Sequence, residues 1–290
     1  MSRKSSVEQP AKLLEYLLAT WPEVKRKQVQ NWLKFQSVMV NGRAITQFDH
    51  ALAAGDEVMI RTDRYAVPKT LLGYGMKVHF EDAEMIVIDK PSGLLSIASD
   101  SEKEKTAYYQ LTDYVRGGTN RSKERVWIVH RLDRDTSGLM VFAKTFAAKE
   151  TLQGNWENFA KYYESVVEGR MPETEGTFTS HLDETHRHRV FSAPESERTR
   201  HAVTHYRVLG MGPMRSLVGL RLETGRRHQI RVHLSEAGFP IVGDLKYAAQ
   251  TNPIRRLVLH SSELNLQHPV TGQRMKFRSP MPRDLARLVG

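Results

Sequence analysis

The sequence predicts an α+β protein: a large, mostly antiparallel mixed sheet with flanking helices and a cleft, preceded by a small α+β unit. Three observations predict it. Hydrophobic residues make up 40% of the 290 positions, enough for a sizeable core. From about residue 71 the pattern is dominated by β-like runs with fewer helical ones. Before that, some 50 residues carry their own order of helix, helix, hairpin and strand.

Residues 1–10 are polar, lack periodicity and read as a frayed tail. Leu13, Leu14, Leu17, Leu18 and Trp21 recur at helical spacing, and Val29, Trp32 and Leu33 repeat the pattern after Pro22. Asn41-Gly42 between two β-like runs marks a hairpin, because both residues tolerate positive φ. Gly55-Asp56 then turns the chain into a strand over 57–60. Residues 11–61 therefore read as one module, 62–70 (mixed charge and Pro68) as a linker, and 71–290 as a second domain.

In that second domain, 78–80 and 85–88 are expected strands, 106–115 a helix, and 125–129 a strand leading through a charged loop into a strand at 139–143. A helix over 146–159, a strand at 161–168, a basic loop from 187 to 201, a strand at 217–222, a helix at 228–237 and a strand at 257–264 follow. No internal repeat or low-complexity tract is visible.

Lys and Arg number 43 against 33 Asp and Glu, a net charge of +10 that favours a polyanionic partner, with nucleic acid first. The absence of Cys removes disulfides, thiolate nucleophiles and Cys-type zinc sites, and fits a reducing compartment. No apolar run reaches a membrane-spanning length, and neither a signal peptide nor an anchor is read, so a cytoplasmic protein is expected.

Four polar clusters could carry chemistry. The densest is His130-Arg131-Leu132-Asp133-Arg134-Asp135-Thr136-Ser137-Gly138, set between two apolar runs. A carboxylate there needs a nearby cation to stay ionised. Asp133 and Asp135 both qualify, and a surface loop of paired Asp and Arg is the plain alternative. Thr224-Gly225-Arg226-Arg227-His228-Gln229-Ile230-Arg231-Val232-His233 runs from a turn into a helix N-terminus, an arrangement suited to anions. Arg231, between Ile230 and Val232, invites burial and a carboxylate partner, which makes an Asp133–Arg231 pair the natural expectation. On the strand at 161–168, Tyr163 and Ser165 share one face and Tyr162 and Glu164 the other. A tyrosine there is core packing, a stacking surface for a base, or a proton carrier. The loop with Arg187, Arg189, Arg198 and Arg200 suits a phosphate backbone better than a metal, since His186-x-His188 has no accompanying ligands of recognisable spacing.

These blocks resemble the RluA-type pseudouridine synthases. The segment 130–139 is similar to that family's catalytic signature. Asp89-Lys90-Pro91-Ser92-Gly93-Leu94, Lys161-Tyr162-Tyr163, Ala202-Val203-Thr204-His205-Tyr206, the block at 224–233, Pro240-Ile241-Val242-Gly243-Asp244, and Leu259-His260 with His268-Pro269 follow in the family's order. The first module resembles an S4 RNA-binding domain through its basic second helix, Val40-Asn41-Gly42 and Gly55-Asp56-Glu57-Val58, with Lys25, Arg26 and Lys27 as phosphate contacts. The resemblance implies a pseudouridine synthase fold and isomerisation of a uridine in structured RNA, ribosomal or transfer, without cofactor or metal. It implies Asp133 as the catalytic aspartate, Tyr163 as the active-site tyrosine and Arg231 as the aspartate's basic partner. Arg131, Arg134, Arg187, Arg189, Arg198, Arg200, Arg226, Arg227 and His228 are the expected RNA contacts of the catalytic domain. An inactive RNA-binding or ribosome-assembly protein with the same fold is the rival, and a monomer is the default.

Overall fold

The computed structural model describes residues 3–24, 26–34, 37–45, 47–60, 73–116, 123–186 and 189–290. The first unit runs β1 (Arg3–Ser6), β2 (Ala11–Lys12), α1 (Leu13–Thr20), α2 (Arg26–Lys34), β3 (Val38–Val40), β4 (Arg43–Ala44), β5 (Ala51–Leu52) and β6 (Glu57–Ile60). Its four-stranded sheet has the order β1-β6-β3-β4, and Leu13, Leu17, Val29, Leu33, Val38 and Val58 form a core of its own. The Asn41-Gly42 hairpin forms with φ of 49° and 77°, and Asn41 is tied to Asp56 and to the Glu57 amide. One expectation fails: residues 3–6 are not a frayed tail but pair antiparallel with β6, and Val7 is buried. A polar edge strand leaves almost no local signature, because its pairing partner lies some fifty residues away. The expected linker at 62–70 lies outside the described residues.

The second unit contains β7 (Lys77–Glu81), β8 (Met85–Lys90), α3 (Ala107–Arg116), β9 (Trp127–Ile128), β10 (Ser137–Ala143), α4 (Phe146–Gly154), β11 (Ala160–Glu168), β12 (Glu175–Asp183), β13 (Phe191–Ser192), β14 (Thr199–Met211), β15 (Arg215–Leu222), α5 (Gln229–Glu236), β16 (Leu259–Gln267), β17 (Arg274–Arg278) and α6 (Arg283–Ala286). Among the described residues these strands make one eleven-stranded sheet, in the order β13-β12-β14-β15-β11-β16-β10-β8-β7, with β17 on β16 and β9 on β10. Only β10 and β16 pair in parallel; the other pairings are antiparallel. The α+β class with a large, mostly antiparallel sheet is therefore as expected.

Strand β10 is buried at all seven positions, which its unbroken apolar run Leu139-Met140-Val141-Phe142-Ala143 anticipates. It is covered on both sides. One core holds Tyr163, Leu220, Leu222 and Leu259 with Leu111 of α3 and Ile230 of α5, and the other holds Leu139 and Val141 with Ala148 and Leu152 of α4. At the parallel junction Gly138 has a φ of 109°, and a Cβ there would lie 2.3 Å from the Ser261 carbonyl oxygen. Only glycine lets the two backbones meet this closely. The junction sets the loop before β10 over the middle of the sheet.

Two local expectations shift. The helix from 146 stops at Gly154 and gives way to a 3-10 turn at Trp156–Asn158, as a Gly-Asn pair favours. The basic loop expected from 187 to 201 is interrupted by β13 and ends where β14 begins, so Arg200 and His201 lie in a strand paired with Leu182 and His181.

Candidate active site

The loop from His130 to Thr136 is clamped from behind by residues 90–96. The Lys90 ammonium is fully buried and donates to the carbonyls of Pro91, Leu94 and Arg134 at 3.0, 2.7 and 3.0 Å. The Gly93 amide donates to the same Arg134 carbonyl, and the Ser92 hydroxyl to that of Asp135. Ser96 both donates to the Leu132 carbonyl and accepts from its amide. Burial pulls the Lys90 pKa down to about 7, against the opposing pull of Asp133 and Asp135. At the loop's entry His130 stacks on Trp156 with ring centroids 4.0 Å apart, and its Nε2 accepts from the Val141 amide. Burial and then Lys161 push its pKa down to about 3, so it stays neutral.

The two aspartates left open by the sequence separate here. Asp135 is gripped by its neighbour Arg134 at 2.9 and 3.1 Å. Asp133 instead receives Nη1 of Arg231 on its Oδ2 at 3.1 Å. The expected Asp133–Arg231 contact thus exists, but it is the lesser part of a larger arrangement. Arg231 turns Nε and Nη2 to Asp244, at 2.6 and 2.8 Å, in a buried bidentate pair. Its guanidinium also lies 4.8 Å from the Tyr247 ring centroid. Burial works against the charge, but the bonds to Asp244 and then Asp133 outweigh it and raise the Arg231 pKa. Asp244 was visible in the sequence only as the end of the block at 240–244, with nothing to say which cation it meets.

Asp133 opens onto a cavity of about 610 Å³, walled by Leu222, Ile230 and Leu259 on the apolar side and bordered by Arg131, Tyr163 and Arg226. That volume suits a single nucleoside-sized group. Tyr163 reaches it from β11 on the face opposite Tyr162, as the alternation anticipates. Burial and the Asp133 charge raise its pKa, with Ser261 opposing, so the phenol keeps its proton. His228, at the N-terminus of α5 with φ of 54°, bonds through Nδ1 to the Tyr247 hydroxyl at 2.8 Å. That hydroxyl also accepts from the Val190 amide, and the other imidazole nitrogen, Nε2, lies 3.7 Å from Asp133 Oδ2. Burial lowers the His228 pKa to about 4, against the pull of Asp133. His228 therefore stands beside the carboxylate as a neutral imidazole, a position its motif did not announce.

The remaining expected RNA contacts divide. Arg131 is exposed at the cavity's edge, and Arg134, 63% exposed, lies over Asp135. Arg226 donates to the His201 carbonyl and Arg227 to those of Glu184 and His186, so both tie the neighbouring segments to the site. Arg189 lies 5.7 Å from the Tyr247 ring centroid, Arg198 is exposed, and Arg200 bonds locally to Glu197 and Thr199 carbonyls. Arg26 is exposed on α2. Lys25, Arg187 and the side chain of Lys27 lie outside the described residues.

A cation-held carboxylate opening on a nucleoside-sized cavity, over a large antiparallel sheet, defines an enzyme that works on a base or sugar. Residues 84–236 match the family model described as RNA pseudouridylate synthase, and the chain belongs to that family. It is an isomerase, an RNA pseudouridine synthase. It is 32% identical over 292 residues to the uncharacterized RNA pseudouridine synthase YlyB of Bacillus subtilis, covering 98% of this chain and 95% of that one. It is 34% identical over 283 residues to the ribosomal large subunit pseudouridine synthase D of Pseudomonas aeruginosa, covering 91% and 86%. Among solved structures, human RNA pseudouridylate synthase domain containing 4 shares the fold with a TM-score of 0.59 and 24% identity, over 72% of this chain and 90% of that one.

Proposed function

We propose that the protein isomerises a uridine of ribosomal large-subunit RNA, with Asp133 as the catalytic carboxylate. The observation that carries the chemistry is the shared guanidinium: Arg231, fixed by Asp244, keeps one donor on Asp133 while leaving the carboxylate 27% exposed to the cavity. The ribosomal substrate is supported by the names of relatives 30–34% identical to this chain. To enter, the uridine leaves its stack at a cost of a few kcal/mol, offset by phosphate contacts on the basic surface.

In the cavity, Asp133 removes the C2′ proton as the N1–C1′ bonding pair leaves with the uracil, giving a glycal and a uracil anion. The uracil turns within the apolar walls. C5 then bonds to C1′ while Asp133 returns its proton to C2′. The hydrogen on C5 is lost to solvent and N1 takes up a proton, so atoms and charge balance. Tyr163, protonated throughout, serves as a wall and hydrogen-bond donor, not as a base. No cofactor or metal is needed for any of these steps. The first unit, residues 3–60, is an S4-like module that adds affinity for RNA. An rRNA substrate supports a cytoplasmic protein.

The test is tritium release from RNA labelled at C5 of uridine, comparing wild type with Asp133→Asn on large-subunit and transfer RNA. Release by wild type from ribosomal RNA, and none by a folded Asp133→Asn that still binds it, is expected. Release confined to transfer RNA would refute the substrate, and release by the variant would refute the role of Asp133.

A further inference from the structure

The loop that carries Asp133 is a wall between two cavities. Asp133 and Thr136 line the one described above, whereas Arg134, Asp135 and Ser137 line a second, of about 780 Å³. Arg231 borders both. The second cavity has a surplus of positive charge that the uridine chemistry does not use. Its three carboxylates are engaged: Asp244 with Arg231, Asp135 with Arg134, and Asp89 with the Ser279 hydroxyl at 2.6 Å. Lys246, Arg255 and Arg256 line it with no carboxylate within ion-pairing distance among the described residues.

Arg256 is the telling member. It is half-buried, which for a guanidinium without a carboxylate carries a desolvation cost. Burial lowers its pKa, with only the more distant Asp284, Asp135 and Asp89 opposing. Its orientation is nevertheless fixed. Nε donates to the Leu257 carbonyl at 3.2 Å and Nη2 to the Ser137 hydroxyl at 2.8 Å. Ser137 in turn bonds at 2.9 Å to Nδ1 of buried His260, whose Nε2 donates to the Ser279 carbonyl at 2.9 Å. The direction of this chain follows from its end: a carbonyl only accepts, so the His260 proton is on Nε2, Nδ1 accepts from Ser137, and the Ser137 oxygen accepts from Arg256. Nη1 of Arg256 has no partner among the described residues. A guanidinium held on two sides, with a third nitrogen free in a cavity that two exposed cations also line, is laid out for an oxyanion.

We propose that the second cavity is a phosphodiester subsite, where Arg256, Lys246 and Arg255 take successive backbone phosphates of the RNA strand beside the uridine held in the first. This rests on the chain's action on RNA. The subsite contributes affinity and register without touching the reacting atoms. Its loss therefore raises KM and leaves kcat at saturating RNA unchanged.

The test uses the full chain and poly(U) as probe, with affinity measured over a range of KCl concentrations. Each phosphate contact to a single strand adds about 0.7 to the slope of log affinity against log salt. Arg256→Gln should flatten the slope by about 0.7, and the exposed pair Lys246→Gln/Arg255→Gln by up to about 1.4. The control Arg170→Gln/Arg274→Gln, at exposed positions outside both cavities, should leave the slope at the wild-type value. If Arg256→Gln fails to fold, the exposed pair decides alone. A wild-type slope in that pair, or an equal flattening in the control, would overturn the subsite. Tritium release by the pair at saturating ribosomal RNA separates this outcome from failure of the reaction itself: normal kcat with a wild-type slope removes only the subsite, whereas no release from wild type removes the proposed substrate or chemistry.

Discussion

Replacing Arg231 by Met removes the cation from two carboxylates at once, and the two consequences can be measured apart. Asp244 is 3% exposed and loses a bidentate partner at 2.6 and 2.8 Å. Leaving one member of a buried ion pair uncompensated costs about 3–5 kcal/mol. At roughly 2–4 °C per kcal/mol for a chain of this order, the melting temperature should fall by about 6–20 °C. Asp133 loses a contact at 3.1 Å, for which Coulomb's law with an effective dielectric near 20 gives roughly 5 kcal/mol. Its side chain is 27% exposed, and solvent screening brings this to about 2–3 kcal/mol, or about 30- to 150-fold in turnover. The decisive comparison is Arg231→Met with Arg231→Met/Asp244→Leu, followed by thermal melts and by tritium release. The second change removes the stranded carboxylate, so stability should return to within about 1–2 kcal/mol of wild type while turnover stays low. A single variant as stable as wild type would refute the buried pair. Turnover restored in the double variant would refute the action of Arg231 through Asp133.

Lys90→Met tests the buried clamp through pH. The folded state releases the Lys90 proton near pH 7 and the unfolded state near the ordinary 10.5, so between these values the unfolded chain binds more protons and wild-type stability rises with pH relative to the variant. Urea unfolding of both proteins across that window measures the difference, and parallel pH profiles would contradict it. Deleting residues 1–61 should weaken RNA binding and flatten its salt dependence while tritium release persists at high RNA concentration. Equal affinity with and without the segment would reject it as an RNA-binding module.

The catalytic loop was legible because its signal is local. An unbroken apolar run after Ser137-Gly138 specifies a strand buried on both faces, and the charged residues just before it can only be a loop. The alternation at 161–168 likewise put Tyr162 and Tyr163 on opposite faces, of which the structure buries that of Tyr163, and Asn41-Gly42 placed the hairpin. The resemblance chose Asp133 over Asp135, and the fold supplies the physical distinction: Asp135 is occupied by its sequence neighbour, whereas Asp133 meets a guanidinium 98 positions away.

The sequence by itself determined the α+β class, the charged loop between two apolar runs that holds Asp133, and the opposite faces of Tyr162 and Tyr163, and its resemblance pointed to Asp133, Tyr163 and Arg231. These follow from periodicity, turn chemistry and motifs confined to a few residues. Only the tertiary structure decided that Asp244 holds Arg231, that Lys90 clamps the loop through three carbonyls, and that Arg256 is left with a free donor. It also decided that residues 3–6 and 175–183 are strands. Each of these depends on groups brought together from separate parts of the chain, where burial makes an unmatched charge or an unpaired amide costly. The cost is set by the partner's position in space, which no local pattern records.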